Sequence, residues 1–173
     1  MEKVLIIKRL TKNAIYLALL CAIGMFAIPL GDNIKVSLQL LIVFIIGLTA
    51  TSFVDTLIVT SLYLGLGMFL PIYAGFHAGI SPTFGYVISF VIISLPLYFL
   101  NKLKIRNDFI RMGLACSVSL IICYIIGTLF LMFYLNLSIE KALLVSVVPY
   151  IPFDIAKIII ATLVVNLLPS KYR

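Results

Sequence analysis

FIRMGLACSVSLIICYIIGTLFLMFYL, residues 109–135, holds 27 positions with a single charge, Arg111, and no proline. A helix needs about 20 predominantly apolar residues to cross the hydrocarbon core of a bilayer, and this run has them to spare. Working outward, the same texture recurs at residues 13–30, at 36–50, from there to Leu70 across a tight polar break (Thr49, Thr51, Ser52, Asp55), at 83–100, and at 150–168 after a short helix-like piece over 139–148. Pro29 with Gly31-Asp32-Asn33 ends the first run, and Pro169 ends the last. The pattern predicts an all-α, six-helix integral membrane protein forming a single domain over residues 1–173.

The composition agrees. Of the 173 residues 64% are hydrophobic and 11% charged, with a mean hydropathy of +1.26. A soluble domain is about 45–50% apolar and about 25% charged, so a water-facing surface cannot be built from these residues. Soluble enzymes and free nucleic-acid-binding modules are excluded. The sequence contains no G-x-x-x-x-G-K-[ST] phosphate loop, no H-E-x-x-H zinc motif and no G-x-S-x-G nucleophile elbow. The residues point to binding, with neither catalysis nor an energy source of their own, and no cofactor is implied.

Thirteen Lys and Arg face six Asp and Glu, and their positions speak of topology. Lys3, Lys8, Arg9 and Lys12 precede the first run; Lys102, Lys104, Arg106 and Arg111 surround the fourth-to-fifth loop; Lys171 and Arg173 end the chain. The opposite loops hold only Lys35 and Lys141. Cytoplasmic loops accumulate Lys and Arg, so both termini are predicted to face the cytoplasm. A basic start before an apolar run also suits a signal peptide, but five further runs follow and the segment reads as the first helix. Cys21, Cys116 and Cys123 lie inside apolar runs without metal-ligand spacing and read as packing residues.

Ionisable groups within a membrane are costly and are functional suspects. Asp154 and Lys157, in Pro149-Tyr150-Ile151-Pro152-Phe153-Asp154-Ile155-Ala156-Lys157, share one helix face at i, i+3; they are either a ligand-binding pair or a self-neutralising structural one. Residues 71–82, with two prolines and two glycines among aromatics, cannot form one helix. Irregular backbone at membrane depth lines cavities or is buried in protein, which makes this loop a predicted binding wall. Gln39, beside Ser37, can read a polar ligand group or cross-link helices. His77, the single histidine, reads as a loop residue without metal. Asp55 reads as a turn residue. Ala14, Ala18 and Ala22 place small side chains every four residues, suited to close helix approach either within the bundle or by a partner.

These features in this order resemble the substrate-binding S components of energy-coupling-factor (ECF) vitamin transporters, and most of all the biotin-specific BioY family. Val36-Ser37-Leu38-Gln39 with Gly47 is similar to that family's Ser/Thr-Leu-Gln and later Ala-Gly. Leu70-Pro71-Ile72-Tyr73-Ala74-Gly75 resembles its L-P-V-F-A-G, Pro82-Thr83-Phe84-Gly85-Tyr86 its P-T-G-G-Y, and residues 149–157 its P-F-x-x-G-D-x-x-K. Phe76 and His77 stand where Gly is usual, Phe153 replaces the Gly before Asp154, and Lys35 stands near a usual Pro. The resemblance implies capture of biotin from outside the bacterial cell membrane by a multi-pass protein. Gln39, Tyr73, Gly75, Phe76, His77, Tyr86, Asp154 and Lys157 would bind the vitamin. Ala14, Ala18 and Ala22 would dock a transmembrane coupling protein that works with two ABC-type ATPases. The alternatives are an S component for another small vitamin or biotin-like acid and, as a different class, a membrane-embedded enzyme using His77, Ser81 and Asp154. A channel is disfavoured by the scarcity of polar residues to line a pore.

Overall fold

The structure, a computed structural model, describes residues 2–29 and 35–169. The predicted turn Gly31-Asp32-Asn33 and the basic pair Lys171 and Arg173 lie outside the described residues. Seven helices appear among those described: α1 (Glu2–Gly24), α2 (Gln39–Thr49), α3 (Phe53–Gly67), α4 (Phe84–Leu100), α5 (Asp108–Leu135), α6 (Ile139–Ser146) and α7 (Ile151–Leu167). Between α1 and α2 run two short antiparallel strands, β1 (Ala27–Pro29) and β2 (Lys35–Ser37), with Ile28 opposite Val36.

Helix ends follow local chemistry. The Asn107 side chain accepts from the backbone N–H of Phe109 and Ile110 and so caps α5. Asn136 closes that helix in the left-handed region at φ 51°, which Asn tolerates. Pro152 sits in the first turn of α7, where its missing N–H costs nothing.

The first run departs from expectation at both ends. α1 begins at Glu2 and not at 13, and from Arg9 onward its polar residues reach the bundle. Arg9 Nη2 and Asn13 Nδ2 donate to Asp55 Oδ1 at 2.9 and 3.0 Å. Lys12 Nζ donates to the Thr49 carbonyl at 2.6 Å, and the Tyr16 and Thr49 hydroxyls bond at 2.6 Å. Asp55, read from sequence as a turn residue, is buried and ties α1 to α3. At its other end α1 stops at Gly24, six residues short of the predicted end. There β-branched Ile28 and Val36 favour strand pairing.

α2 is central, packed against α1, α4 and α7, which explains its apolar residues on every face. Val43, Phe44, Ile46 and Leu48 are buried there, with Val59 and Tyr63 of α3, Ile93 and Leu97 of α4 and Val165 of α7 around them. Buried hydroxyls turn back to their own helix: Thr60 to the Thr56 carbonyl, Ser119 to Ala115, Thr162 to Ile159. The outside is as apolar as the inside. Val54, Ile58, Leu62 and Leu66 line the exposed face of α3, and Leu114, Ile121, Ile125 and Leu129 that of α5. Such stripes suit lipid and not water.

Among the described residues, α5 alone is long and apolar enough to cross a membrane, or two spans qualify if α6 and α7, bent by 51°, count as one. α2, α3 and α4 have 11, 15 and 17 residues, shorter than the about 20 needed. Helix length therefore supports one or two spans where the sequence pattern predicted six. Part of the difference lies in α1, whose 23 residues include Lys8, Arg9 and Lys12, and part in residues 25–29 and 35–37, which go into the hairpin and the turn before it.

Candidate functional site

At the end of the bundle opposite the α4–α5 connection lies a cavity of about 420 Å³. The beginnings of α2, α4 and α7, the last turns of α5 and α6, and the loop between α3 and α4 wall it. Most of its lining is apolar: Leu40, Phe90, Leu131, Leu135 and Val145.

Its polar floor begins on α7. Asp154 falls in the first helical turn, where the helix dipole favours a carboxylate. Lys157 follows one turn later and donates to Asp154 Oδ1 at 2.6 Å. Both are buried, at 4% and 7% exposure. A buried charge survives only when paired and hydrogen-bonded, and a third group completes this arrangement. Tyr124 Oη, from α5, donates to Asp154 Oδ2 at 2.6 Å. Each carboxylate oxygen thus has one donor and keeps lone-pair capacity, while Lys157 retains further N–H groups.

Gln39 opens α2 and is buried against Tyr63. Its Nε2 donates to Tyr63 Oη at 2.5 Å, and that hydroxyl donates on to the Ile72 carbonyl at 2.9 Å. The relay fixes the amide orientation and ties α2 to the loop. Tyr86 lies flat against α5 at Gly127, where an added Cβ would stand 2.3 Å from its ring. Its hydroxyl donates to the Ser146 carbonyl of α6 at 3.3 Å.

The loop is a small hairpin in its own right. Tyr73 and His77 exchange backbone hydrogen bonds around a turn at Gly75 and Phe76, with φ of 78° and 60°. Gly75 N–H donates to the Met25 carbonyl at 2.8 Å, and Phe76 meets Phe26 edge-on with centroids 5.8 Å apart. This turn puts Ala74 and His77 on the cavity wall and directs Tyr73 away from it. The Tyr73 ring packs on Gly67 and Tyr63 while its hydroxyl donates to the Leu64 carbonyl at 2.6 Å.

The structure therefore gathers Gln39, His77, Tyr86, Asp154 and Lys157 around one space, and leaves Tyr73, Gly75 and Phe76 behind or outside its wall. Tyr73 is held in the core because Gly67 admits its ring. Phe76, at the tip of the turn, is exposed and packs on Phe26 outside the cavity. Sequence reading missed Tyr124, Tyr150 and Ser146 and treated Cys123 as packing only. Cys123 lines the cavity, with its sulfur accepting from Ser89 Oγ at 3.0 Å. A lone tyrosine in the middle of the apolar run was the available signal for Tyr124, but its partner lies on another helix. Ala14, Ala18 and Ala22 are all exposed on α1, on the face turned away from buried Leu20 and Gly24.

A sequence profile of the BioY family matches residues 1–173. The chain is 32% identical over 162 residues to biotin transporter BioY of Thermotoga maritima, covering 91% of this chain and 93% of that protein. It is 30% identical over 162 residues to biotin transporter BioY2 of Lactococcus lactis subsp. cremoris, covering 89% and 86%. Among solved structures it superimposes on the S-component for biotin from an ECF-type ABC transporter with a TM-score of 0.84 and 25% identity, over 96% of this chain and 93% of that one.

Proposed function

The chain belongs to the BioY family, and from that premise we propose that it is the biotin-capturing S component of an ECF transporter. It is a membrane protein and not an enzyme. The observation that carries the ligand assignment is the buried Asp154–Lys157 pair set in an apolar cavity. The pair is neutral as a whole and offers acceptors beside donors. A cyclic urea has the complementary arrangement, two N–H donors and a carbonyl acceptor, without net charge. Asp154 accepts from the ureido N–H groups and Lys157 donates to a ligand oxygen. Gln39 supplies a fixed amide, and Tyr86 contacts the thioether ring. His77 stands at the wall for the tail. Tyr73, Gly75 and Phe76 act from behind by holding the loop in place.

The exposed alanine face of α1 supports docking: Ala14, Ala18 and Ala22 admit a helix of the coupling protein closely. With no phosphate loop in its sequence, the protein takes its energy from two partner ATPases. The apolar outer faces of α3 and α5 support reading it as a multi-pass protein of the bacterial cell membrane. The basic residues flanking the α4–α5 connection favour cytoplasmic termini, so that the cavity faces outward.

Calorimetric titration of the purified, detergent-solubilised chain with biotin tests the binding step, and uptake of labelled biotin tests the complex. Saturable one-site binding is expected without partners, and uptake only when coupling protein and ATPases are co-expressed. A folded protein that ignores biotin would sink the assignment.

A further inference from the structure

Asp154 is held from two sides, and the two holders differ in kind. Lys157 sits on the same helix, three residues on, and moves with the carboxylate whenever α7 moves. Tyr124 comes from α5. Its hydroxyl is the side-chain hydrogen bond that fastens the Asp154 carboxylate to a neighbouring helix. Asp154 lies in the first turn of α7. That helix follows a 51° bend after α6 and its N-cap residue, Tyr150, makes no side-chain cap hydrogen bond.

Two donors on separate oxygens fix the plane of a carboxylate, whereas one allows it to swing about that bond. We infer that Tyr124 is a positioning residue for biotin: its hydroxyl fixes the Asp154 carboxylate at the angle at which its remaining lone pairs meet the ring N–H groups of a cyclic urea. Selectivity for an unsubstituted ureido ring then depends on a phenol on α5 as well as on the acid on α7. This inference rests on the reading of the cavity as a biotin site.

Tyr124→Phe removes the hydroxyl and keeps the ring that fills the space. The test is a double-mutant cycle on the purified full chain, with binding of biotin measured for wild type, Tyr124→Phe, Asp154→Ala and the double variant. A hydrogen bond to a charged group supports a loss of about tenfold for Tyr124→Phe in the wild-type background. In the Asp154→Ala background the same change should cost less than about twofold, because the group that Tyr124 orients is gone. An equal loss in both backgrounds would overturn the inference, since Tyr124 would then act on the ligand or the fold directly. Should Asp154→Ala fail to fold, biotin and an analogue methylated on one ring nitrogen are compared on Tyr124→Phe alone. Reduced discrimination between the two supports the inference, and unchanged discrimination overturns it. Wild type that binds no biotin refutes the biotin site itself; wild type that binds while Tyr124→Phe binds equally well refutes the positioning role alone.

Discussion

Asp154 was legible as a suspect from its cost alone: a carboxylate inside an apolar run must be paired or useful. Its spacing from Lys157 also foretold the i, i+3 contact, found at 2.6 Å. The same reasoning could not find Tyr124, whose hydroxyl contacts Asp154 across 30 positions of sequence. Asp154→Asn keeps the size of the side chain, replaces one acceptor by a donor and strips Lys157 of its counter-charge. Truncating one member of a buried charge pair costs about 2–5 kcal/mol, so biotin binding should weaken about 30-fold or more. Titration calorimetry checks this, with a melting curve run beside it to separate binding from folding. Binding within about threefold of wild type by a folded variant would mean that Asp154 serves the fold only. A second residue-level outcome concerns Gly127. An added Cβ there lands 2.3 Å from the Tyr86 ring, so Gly127→Ala forces the ring toward the cavity. Overpacking of this kind costs about 1–3 kcal/mol, seen as a lower melting temperature together with weaker binding. An unchanged melting temperature would show that α4 and α5 can separate freely at this point.

Elements were easier to locate than to delimit. Runs of apolar residues marked α3, α4, α5 and α7 within a few residues, because these helices have apolar faces both inside and outside. α1 was misjudged at both ends. Its first turns mix charged with apolar residues and so form no continuous apolar run, and from Arg9 onward the helix is held by partners in the bundle, chiefly Asp55 and the Thr49 carbonyl. The alanine spacing left two readings open. The exposure of Ala14, Ala18 and Ala22 removes the one in which they form a seam inside this bundle. Ala18→Trp is expected to leave biotin affinity within about threefold of wild type and to abolish assembly with the coupling protein and ATPases, since the ring blocks helix approach and Ala18 is exposed and does not line the cavity. Co-purification of the complex, with binding by the isolated chain measured in parallel, checks it. A variant that loses both together would return α1 to a role in the fold of the cavity.

For the molecule as a whole, the proposed orientation rests on charge. Lys102, Lys104 and Arg106 lie in the α4–α5 connection, and the cavity lies at the other end. If the basic end is cytoplasmic, cysteine replacing Lys104 in a cysteine-free background stays protected from an impermeant thiol reagent in intact cells. Cysteine replacing the exposed Glu140 of α6 is labelled. Labelling at 104 without permeabilisation would turn the cavity inward, and capture from outside would fail with it.

Composition, apolar runs and charge placement by themselves determined that this chain is helical and bound to a membrane. They also marked Asp154 and Lys157 for function, since both conclusions depend on transfer free energies that each residue carries wherever it sits. The order of short motifs added the family. Only the tertiary structure decided which residues share the cavity. Tyr73 and Phe76 carry the right chemistry, yet one is drawn into the core over Gly67 and the other sits exposed at the tip of a turn against Phe26. Tyr124, Cys123 and Tyr150 reach the cavity through the packing of α5 and the bend before α7. Which way a side chain faces depends on which helix lies opposite, and contacts across 30 or 60 positions leave no periodic trace in the sequence.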